Sequence, residues 1–119
     1  MSVTAQSRPI DLVHLSRYTG GDTELNAEVL TLFAGQAEQI VARLRICLEK
    51  CDAVSWHEAT HALKGAARGV GAFDLAAAAA AAEQLDLAAQ GKQAALAVET
   101  MRSLAHATKV FVENYLNAA

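Results

Sequence analysis

The sequence predicts an all-α protein, an antiparallel up-and-down four-helix bundle with a short N-terminal helix. Three observations support this. The hydrophobic share is 53%, carried largely by Ala and Leu, with aromatics at only 5%. Apolar residues recur at helical spacing in long windows, and no window shows the Val/Ile/Thr/Tyr alternation of a strand. A single proline, Pro9, leaves the rest of the 119 residues free of a strong helix breaker. A chain of this length suits one domain with one core.

Residues 1–8, with Ser2, Thr4, Gln6 and Ser7, read as a flexible N-terminal arm. The bundle domain follows as 9–119. Pro9 suits the first turn of a short helix reaching about Tyr18, and Gly20 and Gly21 end it. Asp22 is placed to cap the second helix, which runs to about Lys50 on a stripe of Leu25, Val29, Leu32, Phe33, Ile40, Leu44 and Leu48. Asp52 or Ser55 caps the third, Ser55 having Glu58 at capping-box spacing, and the helix ends near Gly69 and Gly71. A fourth spans about Phe73 to Gln90, with Leu75, Ala78, Ala82, Leu85 and Ala89 on one face. The small side chains of Ala76 to Ala82 let neighbouring backbones approach closely. Gly91 ends it. The fifth, from about Gln93 to Leu116, turns Val98, Met101, Leu104, Phe111 and Tyr115 inward, and short connections imply antiparallel neighbours. No internal repeat points to a solenoid.

Ten Lys and Arg against thirteen Asp and Glu give a formal net charge of -3. The cations are scattered, so no basic stripe is available to neutralise a phosphate backbone, and nucleic acid is not an expected partner. Residues 1 to 9 lack the charged-then-apolar order of a leader, and the longest apolar stretch, Leu75 to Ala82, is far below membrane-spanning length. A cytoplasmic, monomeric protein with no membrane partner is the expectation. Cys47 and Cys51 lie one turn apart, and no second Cys pair completes a metal set. They read as small, partly buried apolar residues in a reducing compartment.

The third helix carries the chemistry. Each residue advances a helix by about 100 degrees, which sets Trp56, Ala59, Leu63, Ala66 and Val70 roughly opposite His61 and sends His61 to solvent. Lys64, Gly65 and Arg68 fall within roughly 60 degrees of His61, and His57 lies on the same side one turn earlier. An exposed His is ordinarily bland surface, Lys64 and Arg68 could be a solvated face, and Gly65 could serve helix packing. Yet Gly65 costs about 1 kcal/mol relative to Ala inside a helix and clears space one turn beyond the imidazole. The neighbouring cations would favour a phosphoryl group there. Together these residues suggest a nucleophile.

The run His61-Ala62-Leu63-Lys64-Gly65-Ala66-Ala67, closed by Val70-Gly71-Ala72, resembles the signature of the histidine-containing phosphotransfer (HPt) family, H-x-L-K-G-[AS]-[AS] followed by a hydrophobic residue and Gly. Gly20-Gly21-Asp22 before a long helix with Leu30 and Phe33, and Asp52 ahead of the histidine, extend the resemblance over nearly the whole chain from about Pro9. It implies a phosphorelay in which a sensor kinase or a receiver aspartate delivers phosphate to His61 and a second response-regulator receiver removes it. It further implies that this chain binds no nucleotide or cofactor itself, Mg2+ being expected on the partner receiver. That agrees with the lack of any P-loop. By correspondence His61 is the phosphoacceptor, Lys64 steadies the phosphate and Gly65 admits the partner. Glu83 stands where many members carry Gln and the chemotaxis kinases carry Glu. A carboxylate accepting the Nδ1 proton would leave Nε2 as nucleophile. Arg68 and His57 join Gly65 as expected partner contacts.

Two other readings compete. His57-Glu58-Ala59-Thr60-His61 is also H-E-x-x-H, the zinc hydrolase spacing, with Glu83 as a candidate third ligand. Its extended form fails because Lys64 and Ala67 occupy the Gly and final His positions, and the chain has no spare length for a peptide cleft. A helical interaction module without chemistry explains the bundle but leaves the placement of Lys64 and Gly65 unexplained. His14 and His106 have no clustered ligands and read as surface or helix-end residues.

Overall fold

The computed structural model describes residues 8–118, so of the expected N-terminal arm all but Arg8 lies outside the described residues. Among these there are five helices and no strand: α1 Leu12–Thr19, α2 Thr23–Lys50, α3 Ala53–Val70, α4 Phe73–Glu83 and α5 Gly91–Asn117. Aspartates start the first three. Asp11, Asp22 and Asp52 each accept the backbone N–H three residues on, from His14, Leu25 and Ser55, satisfying donors that have no partner within the helix. At the other ends the chain turns through left-handed residues, Gly20 after α1, Cys51 after α2 and Gly71 after α3. Gly71 is needed twice over. Its φ is +87°, and a Cβ there would stand 2.8 Å from the carbonyl oxygen of Asp11, whose own N–H binds the Gly71 carbonyl at 2.9 Å.

The four longer helices close into a ring: α2 packs on α3 and α5, and α4 on α3 and α5, while α1 lies against α2 and α3. Inside sit Leu30, Phe33, Ala37, Val41 and Leu44 of α2, Trp56, Ala59, Leu63 and Ala67 of α3, Leu75, Ala79 and Ala82 of α4, and Val98, Met101 and Ala105 of α5. Each fully buried leucine contributes about 1.5–3 kcal/mol by leaving water. Three polar side chains enter this core with partners. Thr60 and Thr108 donate back to the Trp56 and Leu104 carbonyls at 2.9 Å. Asn26 accepts from the Thr19 hydroxyl and donates to Tyr115, tying α1, α2 and α5 together. No helix among the described residues is long and apolar enough to cross a membrane.

Several expectations are corrected. The short helix begins at Leu12, not Pro9, because the Asp11 carboxylate supplies the cap, and Ile10 ahead of it is buried. On α2, Leu25 and Leu32 of the expected stripe are exposed. The buried row is Asn26, Leu30, Phe33, Ala34, Ala37, Val41, Leu44 and Cys47, with Val29, Ile40 and Leu48 flanking it. For α3, Asp52 is the one of the two expected caps that is used, and the helix ends at Gly71, within the expected Gly69–Gly71 stretch. The fourth helix stops at Glu83 instead of Gln90. Past it, Asp86 N–H donates to the Gln90 side chain at 2.9 Å and Ala88 N–H to the Asp86 carboxylate at 3.0 Å, folding a turn. Leu87 is buried from that turn, Ala78 and Leu85 are only partly buried, and Ala89 is exposed. Gly91 therefore opens the fifth helix and does not close the fourth. Cys47 is buried, but Cys51, turned out by its left-handed φ of 51°, is exposed.

Candidate functional site

The rotation of α3 is set by its apolar face. With Trp56, Ala59, Leu63, Ala67 and Val70 buried and Ala66 partly so, His61 is forced outward, and its side chain is 66% exposed. The packing of α4 on α3 sets Glu83, the last residue of α4, beside that histidine. One hydrogen bond fixes the register between the two helices. The Trp56 indole N–H donates to the carbonyl of Ala82 at 2.9 Å in a buried setting, so the residue before Glu83 is tied to α3.

The Glu83 side chain is only 5% exposed, yet it is surrounded by nitrogen donors. Its Oε2 lies 2.9 Å from Nδ1 of His61, and its Oε1 accepts from Nζ of Lys64 at 2.6 Å. His57 reaches the same Oε2 with Nε2 at 3.6 Å, and its ring is stacked near that of His61, planes 16° apart. The Lys64 hydrogen bond, aided by the one to His61 and opposed by burial, holds the Glu83 carboxyl below the usual carboxylate range. The Lys64 ammonium also offsets the unfavourable placement of an acid at the negative end of a helix.

This arrangement fixes the chemistry of the imidazole. A carboxylate only accepts, so Nδ1 of His61 carries the proton and Nε2 the lone pair, on an exposed ring. The carboxylate opposite Nδ1 also stabilises positive charge that develops on the ring when Nε2 forms a bond. The site is thus a solvent-facing nitrogen nucleophile with a built-in counter-charge.

Of the residues singled out from the sequence, His61, Lys64, Glu83 and His57 come together around one carboxylate. The Lys64 ammonium donates to Glu83, and its side chain is 19% exposed. Gly65 is exposed, and a Cβ there would meet nothing within 4 Å, so nothing in the fold itself requires a glycine. Arg68 is exposed one turn beyond Lys64, apart from the carboxylate cluster. The sequence reading treated Trp56 as core alone and missed that its N–H sets the Glu83 position. The H-E-x-x-H reading loses support because Glu58 turns away to Arg43 at 3.6 Å. Among the described residues no group of three or more His, Cys, Asp and Glu is arranged to hold a metal ion.

Of the comparisons with known proteins, one gives a match. The family model described as Hpt domain matches residues 28–116, most of the chain and all of α3 and α4. No curated protein and no solved structure matches.

Proposed function

The chain belongs to the Hpt domain family, and on that footing we propose that it is the phosphoryl carrier of a two-component phosphorelay, with His61 as phosphoacceptor. The observation that carries this reading is the 2.9 Å contact between Nδ1 of His61 and Glu83, which leaves Nε2 nucleophilic on an exposed ring.

The Nε2 lone pair attacks the phosphorus of a receiver's aspartyl phosphate or a kinase's phosphohistidine. A P–N bond forms as the P–O or P–N bond to the donor breaks, and the bonding electrons return to the donor group. The ring gains positive charge, which Glu83 balances across Nδ1. Delivery to the next receiver runs the same exchange in reverse, onto a carboxylate oxygen. Lys64 orders the carboxylate during both steps and, as the family resemblance implies, steadies the phosphate. Mg2+ belongs on the partner receiver. Gly65, Arg68 and His57 form the contact surface, Gly65 by letting the partner's surface approach α3 closely. We read the ring of helices as an antiparallel up-and-down four-helix bundle acting as a cytoplasmic monomer with no nucleotide site or kinase activity of its own.

The test is incubation of the purified chain with a phosphorylated receiver domain and Mg2+, scoring acid-labile phosphate on the chain. Label is expected on the wild type and absent from His61→Gln, with helical circular dichroism unchanged because the lost side chain faces solvent. Label persisting on His61→Gln would assign the acceptor elsewhere. Absence of label on the wild type with several receivers would remove the phosphotransfer reading.

A further inference from the structure

We propose that the partner receiver's footprint runs from His61 past Gly65 to the C-terminal end of α3, where an apolar side chain of the receiver packs on Leu32 of α2 over Gly69 and a carboxylate of the receiver pairs with Arg68. The inference rests on the phosphotransfer reading and adds where, and by what chemistry, the partner is held.

The place of Leu32 follows from one ion pair. Arg43 of α2 reaches Glu58 of α3 at 3.6 Å. With α2 and α3 read as antiparallel neighbours, eleven residues back from Arg43 and eleven on from Glu58 make about three turns on each helix. That count brings Leu32 level with Gly69 on the same two stripes. A single exposed leucine is ordinary surface. Leu32, at 74% exposed, instead borders a strip that the fold leaves bare. A Cβ on Gly69 would meet nothing within 4 Å, and the same holds at Gly65 one turn earlier. The seam between α2 and α3 thus has an apolar wall and a floor of uncovered backbone, which admits a side chain from outside.

Arg68 supplies the charge. It lies seven residues after His61, about two turns along the same side of α3, and is exposed. The other cation of α3, Lys64, is committed to Glu83 at 2.6 Å, and Arg43 across the seam is held by Glu58. Arg68 makes no ion pair or side-chain hydrogen bond among the described residues, so its guanidinium is open to a carboxylate on an approaching surface. Toward the Cys51–Asp52 turn the seam is different. Its charges, Arg43 and Glu58, already neutralise each other, and Val54, 71% exposed, has no glycine beside it on α3.

The test compares wild type, Leu32→Ser, Arg68→Glu and, at the opposite end of α3, Val54→Ser. Binding of the unphosphorylated receiver is measured by calorimetry, and phosphate acceptance is followed against the concentration of phosphorylated receiver. All three side chains are exposed, so helical circular dichroism is expected to stay unchanged. Leu32→Ser and Arg68→Glu are each expected to weaken binding about fivefold or more and to raise KM to match, with the rate at saturating receiver kept. The Arg68→Glu defect should shrink at high salt. Val54→Ser is expected to bind like wild type. Wild-type affinity in either Leu32→Ser or Arg68→Glu, with phosphate still accepted, would overturn this footprint and leave phosphotransfer standing. A loss confined to Val54→Ser would overturn it equally. Binding weakened by both Leu32→Ser and Arg68→Glu in a chain that accepts no phosphate would uphold the docking surface and remove the phosphotransfer reading.

Discussion

The ammonium of Lys64 is the residue-scale feature on which the behaviour of Glu83 turns, because its hydrogen bond is the largest influence holding that carboxyl below the usual range. A carboxyl whose folded value is depressed contributes stability above the ordinary carboxylate range and loses it as pH falls through the lower folded value. Lys64→Ala is therefore expected to raise the protonation midpoint of Glu83, followed by carbon-13 NMR of the side-chain carboxyl. The His61 contact should be lost at a correspondingly higher pH. Phosphate acceptance near neutral pH should slow on the order of tenfold without stopping, since the nucleophile and its carboxylate remain. An unmoved midpoint together with unchanged rates would remove Lys64 from the site. The outward placement of His61 could be read from one helix's periodicity, because a face with Trp56, Leu63 and Val70 must turn inward. The partner of Lys64 could not be, since its ammonium reaches across to a different helix and no single-helix projection contains that contact. Buried Thr60 was hidden for a related reason: its hydroxyl is satisfied by the carbonyls of Trp56 and His57 within its own helix, which lets a polar residue occupy a core position.

Among the elements, α4 contributes the carboxylate of the site, carrying Glu83 as its last residue beside His61. The sequence hid this boundary. A run of alanines followed by Leu85 and Leu87 carries no break in hydropathy, and the stop comes from side chains of Asp86 and Gln90 capturing backbone groups in the turn beyond. The starts of α2 and α3 were legible, since Asp22 and Asp52 stood in the cap positions at which the structure uses them. The α2 stripe was misjudged because Ala34, Ala37 and Cys47, small residues with little hydrophobic weight, outrank Leu25 and Leu32 in burial. The indole N–H of Trp56 then locks α3 to the end of α4. Trp56→Phe removes that donor and part of a fully buried side chain, so a loss of about 1–3 kcal/mol in urea unfolding is expected. Phosphate acceptance should fall as well, even under conditions in which the variant is fully folded, because Glu83 is no longer held in register with His61. Full acceptance by a folded, destabilised Trp56→Phe would show that the helix end is fixed without the indole.

For the whole molecule, the informative position is Gly65, where stability and function are set against each other. A glycine inside α3 costs about 1 kcal/mol relative to alanine, against a total that for a domain of this size is only about 5–15 kcal/mol. Nothing in the fold recovers that cost, since an added Cβ meets open space and the backbone there is ordinary helix with no positive φ. The glycine at 71 is the contrast: its left-handed φ and the Asp11 carbonyl 2.8 Å from a Cβ tie it to the fold alone. A glycine beside His61 that the fold does not need fits the proposal that a partner's surface approaches α3 there. Gly65→Ala is therefore expected to raise stability by up to about 1 kcal/mol, read from the urea midpoint, while slowing transfer from a phosphorylated receiver. Gly65→Leu should keep the bundle and weaken receiver binding further, because the longer side chain fills the space beside His61 that the partner would occupy. The direction of the two effects is the argument. A variant that gains stability and loses transfer locates the partner's approach at Gly65, whereas Gly65→Leu binding a receiver with wild-type affinity would place the docking surface elsewhere on the helices around His61.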